Sequence, residues 1–135
     1  VRRRYSTAFE PPAPVVPLVV RAPGGADWVS VDAKIDTGAD VSTLPRYVAS
    51  RLDLPAVRVA RAAGFSGAPV EVIVYAADVD LDGTRIEAVD VLVTERPYAL
   101  LGRNLLRRAV LHLHGPGARL ELSIGSSGRR RSKPR

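Results

Sequence analysis

From Trp28 to Ile35 apolar and polar side chains alternate along the chain. A period of two predicts a strand with one buried face. The apolar stretch Leu18–Arg21 leads into it through a turn at Pro23-Gly24-Gly25-Ala26-Asp27, so the two stretches are expected to pair. A second alternating run, Val70 to Leu81, meets a third, Thr84 to Val93, across Asp82-Gly83. Asp-Gly between β-formers supplies the positive φ angles of a tight hairpin turn. Pro45 to Leu52 predicts a short helix opening at the proline, with Val48 and Leu52 four apart on one face. Gly102 to Val110 predicts another, with Leu105, Leu106 and Ala109 apolar. Leu111–His114, the turn Gly115-Pro116-Gly117 and Leu120–Ile124 make a closing hairpin. Residues 10–17, rich in proline, read as extended. The pattern has no internal repeat and describes a mainly β chain with one or two short helices.

The length of 135 residues fits one domain, and 46% hydrophobic with 25% charged residues is globular composition. No apolar run reaches 18 residues and no leader pattern follows Val1-Arg2-Arg3-Arg4, so neither a transmembrane helix nor a signal peptide is visible. That leaves the compartment unknown, with the cytoplasm favoured. The chain opens on Val1, as a cut or processed piece would. With no cysteine, disulfides, cysteine-based zinc sites and thiol catalysis are excluded. The net charge of +6 belongs to the ends. Without residues 1–10 and 125–135 the body carries 12 basic and 13 acidic side chains. The expected organisation is therefore a basic, Pro-rich N-terminal segment (1–16), a folded domain (17–124) and a basic flexible tail (125–135).

Candidate chemistry concentrates in Ile35-Asp36-Thr37-Gly38-Ala39-Asp40. An apolar strand ends in a carboxylate, followed by a glycine that admits another backbone. Alone, Asp-Thr-Gly also describes an ordinary turn. Two further segments change that reading. Ala63-Gly64-Phe65-Ser66-Gly67-Ala68 is a glycine-flanked hairpin tip, and Leu100-Leu101-Gly102-Arg103-Asn104-Leu105-Leu106 opens a helix behind a glycine. In this order and spacing the set resembles the retropepsins, single-domain aspartic proteases of the retroviral type. The resemblance runs from about Pro17 to Ser123.

The resemblance implies a closed, barrel-like β fold with a flap hairpin, acting as a homodimer on a peptide or protein substrate without a cofactor. One box makes half a site, so Asp36 would be catalytic together with its mate across a two-fold axis. Two carboxylates that close share a proton. One is then the general base on a water and the other polarises the scissile carbonyl. By position, Thr37 would brace the two loops, and Gly38 would let substrate lie on the backbone. Ala39 offers the carboxylates no hydroxyl, which points to a mildly acidic optimum. Asp40 would form a bidentate pair with Arg103. Gly64, Phe65, Ser66 and Gly67 would form the flap over the substrate, while Tyr98 and Leu100 would line pockets for apolar side chains. Leu120–Ile124 would be the C-terminal contributor to a dimer sheet.

The remaining constellations are less demanding. Asp78, Asp80 and Asp82 match the start of a calcium loop, but Val89 stands where its closing glutamate is needed. Alternating carboxylates on a solvent face explain them. His112 and His114 share a strand face with no third ligand, and no metal site is expected. The alternative function is a non-proteolytic dimeric binding module whose basic tails contact nucleic acid or another anionic partner. No aromatic residue interrupts Arg129-Arg130-Arg131 to stack on a base, and an intact Asp36 favours the peptidase.

Overall fold

A computed structural model describes residues 1–63 and 66–125. The strands are β1 (Arg2–Arg4), β2 (Val15–Arg21), β3 (Val29–Ile35) and β4 (Ser42–Pro45), followed by helix α1 (Arg46–Leu52). Then come β5 (Ala56–Ala63), β6 (Pro69–Leu81), β7 (Thr84–Thr94) and β8 (Ala99–Leu101). Helix α2 (Arg103–Leu106), β9 (Ala109–His114) and β10 (Arg119–Ile124) close the described chain.

Six strands form a closed barrel. In the order β2-β3-β8-β4-β7-β6 each pairs with the next, and β6 returns to β2 through Val19–Arg21 and Asp78–Asp80. Closure leaves no open edge among those six strands. β5 pairs only with β6 and extends the hairpin outward. Inward residues such as Val16, Leu18, Val31, Ala33, Val79, Leu81, Val91 and Leu101 fill the core. The predicted β6–β7 hairpin turns at Asp82 (φ 52°) and Gly83 (φ 79°), the two left-handed positions such a turn requires.

Several expectations change. Arg2–Arg4, read as a solvated tail, is an edge strand paired with Arg119–Glu121 of β10. β2 begins at Val15 and crosses the boundary expected at residue 17, with Val15 and Val16 both buried. The helix expected over Gly102–Val110 is one turn, Arg103–Leu106, and Ala109 and Val110 already belong to β9. α1 starts at Arg46, with Pro45 as its cap. Asp78 is not on a solvent face: it is 2% exposed and enclosed by partners. Strands β4, β5 and β8 were absent from the sequence pattern. β4 and β8 are buried throughout and only four and three residues long, too short to show a period.

Candidate active site

Two parallel pairings bring the motifs together. β3 runs beside β8 with Ile35 opposite Leu101, and β4 runs beside β7. The pairing of β3 with β8 continues one residue further, the Asp36 N–H donating to the Leu101 carbonyl at 3.0 Å. The chain then turns. Ala39 N–H donates to the Asp36 carbonyl (3.2 Å), and Gly38 N–H donates to Asp36 Oδ1 (3.0 Å). One carboxylate oxygen is thus held by the backbone of its own loop. Asp36 is half-buried, whereas Thr37 and Gly38 are exposed.

The loop is braced from behind by the segment after β8. Arg103 donates from one guanidinium nitrogen to Asp40 and from another to the Thr37 carbonyl (2.9 Å). The expected Asp40–Arg103 pair forms, but it is not bidentate: the second arm holds the backbone beside Asp36. Main-chain bonds repeat the tie, Arg103 N–H to the Ala39 carbonyl at 2.8 Å and Asn104 N–H to the Asp40 carbonyl at 3.3 Å. Gly102 packs so closely that a Cβ there would lie 2.8 Å from the Val41 carbonyl carbon and 3.0 Å from the Ala39 oxygen. Only a residue without a side chain fits.

Two bracing residues were not assigned roles by the sequence reading. Ser42, buried, donates its hydroxyl to Asn104 Oδ1 (2.8 Å) and accepts from Gly102 N–H (2.9 Å). Asn104 Oδ1 also accepts from Ser42 N–H (3.0 Å), and its Nδ2 donates to the Asp90 carbonyl (2.9 Å). The available signal was position: both are short polar side chains next to the two motifs, Ser42 two residues after Asp40 and Asn104 directly after Arg103.

The hairpin tip between β5 and β6 is where the glycine-flanked segment was expected. Ser66 and Gly67 are exposed there, Gly67 at φ 78°, and Gly64 and Phe65 lie outside the described residues. Leu100 is paired with Lys34 on one side and Thr43 on the other, buried but apart from the main core, on the sheet face opposite Ala99 and Leu101. Tyr98 immediately precedes β8. Its ring meets Phe9 edge to face, 4.9 Å between centroids. Ala99 pairs with Ala33, and Tyr98, just before it, lines one hollow with Asp32, which is four residues and about 13 Å along β3 from Asp36.

At the other end of the barrel Asp78 makes a separate node. Burial pushes its carboxyl up, but N–H groups of Gly24 (3.0 Å) and Ala88 (2.9 Å) and the Arg21 guanidinium (2.9 Å) outweigh that and hold it below the ordinary carboxylate range. His112 and His114 are exposed, and among the described residues no group of three or more His, Asp or Glu could hold a metal ion. No helix among them is long and apolar enough to cross a membrane.

The chain matches the aspartyl protease family over residues 20–105, which includes the Asp36 loop, the β5–β6 hairpin and the Gly102–Asn104 brace. No curated protein sequence matches it. Among solved structures it is similar to a retropepsin-like aspartic protease from Rickettsia conorii, with 17% identity over 90% of this chain and 88% of that one and a TM-score of 0.61. It is also similar to the EIAV protease in complex with the inhibitor HBY-793, with 24% identity over 70% and 86% of the two chains and a TM-score of 0.52. The foamy viral protease–reverse transcriptase, 15% identical, aligns over 76% of this chain and 13% of that longer one at a TM-score of 0.54. The six-stranded barrel is the fold these structures share, and with an Asp-Thr-Gly loop at the end of β3 braced through Arg103 and Asn104, this chain belongs to the aspartyl protease family as a retropepsin-like, aspartic-type endopeptidase.

Proposed function

We propose that the active form is a homodimer in which the Asp36 carboxylates of two copies form the catalytic dyad. The observation that carries this reading is the single, solvent-facing Asp36-Thr37-Gly38 loop. It presents one carboxylate at the protein surface, and the chain has no second Asp-Thr-Gly to complete the pair. A two-fold axis beside the loop would bring Asp36 against its mate, with the exposed Thr37 hydroxyls free to bridge the copies. The dyad shares one proton. Its ionised member takes a proton from water, which attacks the scissile carbonyl. Its protonated member donates to the carbonyl oxygen, and the resulting tetrahedral intermediate collapses with transfer of a proton to the leaving amine. Gly38, Asp40, Ser66, Gly67, Tyr98 and Leu100 are the described residues assigned to substrate contact. Arg103 and Ala39 support the loop, and no cofactor takes part.

The strand expected to contribute to a dimer sheet, Leu120–Ile124, is partly paired within this chain. β10 lies between β1 and β9, so Arg119–Glu121 already has both edges occupied. A strand from the second copy would pair with the Ser123–Ile124 end of β10, which β1 does not reach, or with the outer edge of β1 or β9. The test is proteolysis of a denatured protein mixture across about pH 4 to 8, wild type beside Asp36→Asn, with new termini read by mass spectrometry. Termini made only by the wild type, strongest at mildly acidic pH and rising more than linearly with enzyme concentration, are expected. Equal cleavage by the Asp36→Asn variant, or a rate strictly linear in enzyme far below the dimer dissociation constant, would overturn the reading.

A further inference from the structure

The face of β3 that carries Asp36 also carries a cation. Val31, Ala33 and Ile35 point into the core, so Asp32, Lys34 and, one residue past the strand, Asp36 stand on the other side. Lys34 is two residues from Asp36, about 7 Å along the strand. Its neighbours in the row are Val15 of β2 and Leu100 of β8, both buried and both outside the main core cluster. The stem of Lys34 therefore lies between apolar side chains, and its ammonium lies over aromatic rings. Nζ is 4.8 Å from the centroid of Phe9 and 6.0 Å from that of Tyr98.

Lys34 forms no salt bridge among the described residues. The carboxylates on its own face are Asp32 and Asp36, one pleat away on either side. Asp32 lines a hollow together with Arg2, Arg3 and Arg4 of β1, a basic surrounding for that carboxylate. A second hollow, of about 400 Å³, is lined by Phe9, Tyr98 and Asp32, so the aromatic seat of Lys34 borders it on the Asp32 side. The ammonium thus has a fixed seat against two rings and no salt-bridge partner among the described residues.

We propose that Lys34 determines specificity, forming a subsite for an Asp or Glu side chain two or three residues from the scissile bond. This rests on the peptidase reading above. An extended substrate advances about 3.3 Å per residue, so a side chain two residues from the bond cleaved at Asp36 is level with Lys34. The lean of Lys34 toward Tyr98 extends that reach by a residue. An arriving carboxylate gains charge-assisted hydrogen bonds from an ammonium already held in place by the two rings. An apolar side chain strips water from the same ammonium and returns nothing, and a basic one is repelled. Leu100 and Val15 provide apolar walls for the methylenes of a glutamate, so the subsite adds a charge requirement to the apolar preference set by Leu100.

The test uses pairs of fluorogenic peptides that differ only by Glu or Gln at the second and third positions from the cleaved bond, plus a Lys version. Wild type is expected to cleave the Glu peptides about tenfold better in kcat/KM, the scale of one charge-assisted contact, with the ratio shrinking at high salt. In Lys34→Leu the Glu and Gln peptides should be cleaved alike, and Lys34→Glu should prefer the Lys peptide. Thermal unfolding of both variants checks that they fold. A wild-type ratio near one, or a Glu preference that persists in both variants, overturns the subsite. A parallel binding measurement separates this from failure of the peptidase reading: anisotropy of the labelled peptides on the Asp36→Asn protein, with and without Lys34→Leu. Tighter binding of the Glu peptide that vanishes with Lys34→Leu supports the subsite even where no peptide is cut. Equal binding of Glu and Gln peptides overturns it.

Discussion

Asn104 and Ser42 are 62 residues apart, yet the Asn104 side-chain oxygen accepts hydrogen bonds from both the backbone N–H (3.0 Å) and the hydroxyl (2.8 Å) of Ser42. The same serine hydroxyl accepts from Gly102 N–H, and the other end of the amide reaches Asp90 on β7. This one side chain therefore ties the start of β4, the turn after β8 and the middle of β7 together behind Asp36. Asn104→Ala leaves several of these groups without partners, each costing about 1–3 kcal/mol. A loss of about 3 kcal/mol in urea unfolding is expected, with Asn104→Asp intermediate because it keeps the acceptor.

Gly102 is limited by space. A methyl group would collide with the Val41 carbonyl and the Ala39 oxygen, both backbone atoms that cannot swing aside. Gly102→Ala should destabilise by about 3 kcal/mol, at the upper end of overpacking costs, and displace the Asp36 loop. Calorimetry together with peptide turnover measures both effects. An unchanged melting temperature would mean that the two segments part without cost.

Arg103 separates positioning from stability. Its pair with Asp40 is largely exposed, so Arg103→Ala should change unfolding free energy by no more than about 1 kcal/mol. The same guanidinium fixes the Thr37 carbonyl, one residue from the carboxylate. Misplacing a reacting group by about 1 Å costs on the order of a hundredfold in rate, so kcat/KM should fall between about ten- and a hundredfold. Arg103→Lys, which cannot reach both acceptors with a planar fork, should recover only part of it.

Asp78 governs acid stability. Its folded-state pKa lies below the unfolded value, so its contribution is present in full above about pH 5 and is lost as pH falls through the unfolded value of about 3.9 toward the folded one. Asp78→Asn leaves Arg21 without its counter-charge and should cost about 3 kcal/mol at pH 7. The gap between wild type and variant should close below about pH 4, read by denaturant titrations across the range. A gap that stays constant down to pH 3 would show that geometry rather than charge holds the node.

The sequence by itself determined the strands that alternate, the Asp82-Gly83 hairpin and the motifs around Asp36 and Arg103. Each is written in neighbouring residues: a two-residue period, a turn dipeptide and a strand-end carboxylate are local signals. Tertiary structure decided what depends on pairing across the chain. β4 and β8 are strands because β7 and β3 lie beside them, and a buried segment of three or four residues has no outward side to reveal a period. Arg2–Arg4 is a strand because β10 offers an edge, against a composition that favours solvent. Asp78 is buried for a similar reason: Gly24, Arg21 and Ala88 converge on it only once β6 has closed against β2. Lys34 reads in sequence as the polar member of an alternating strand. Only the packing of Phe9 and Tyr98 beside it turns that position into a seated cation two residues from Asp36.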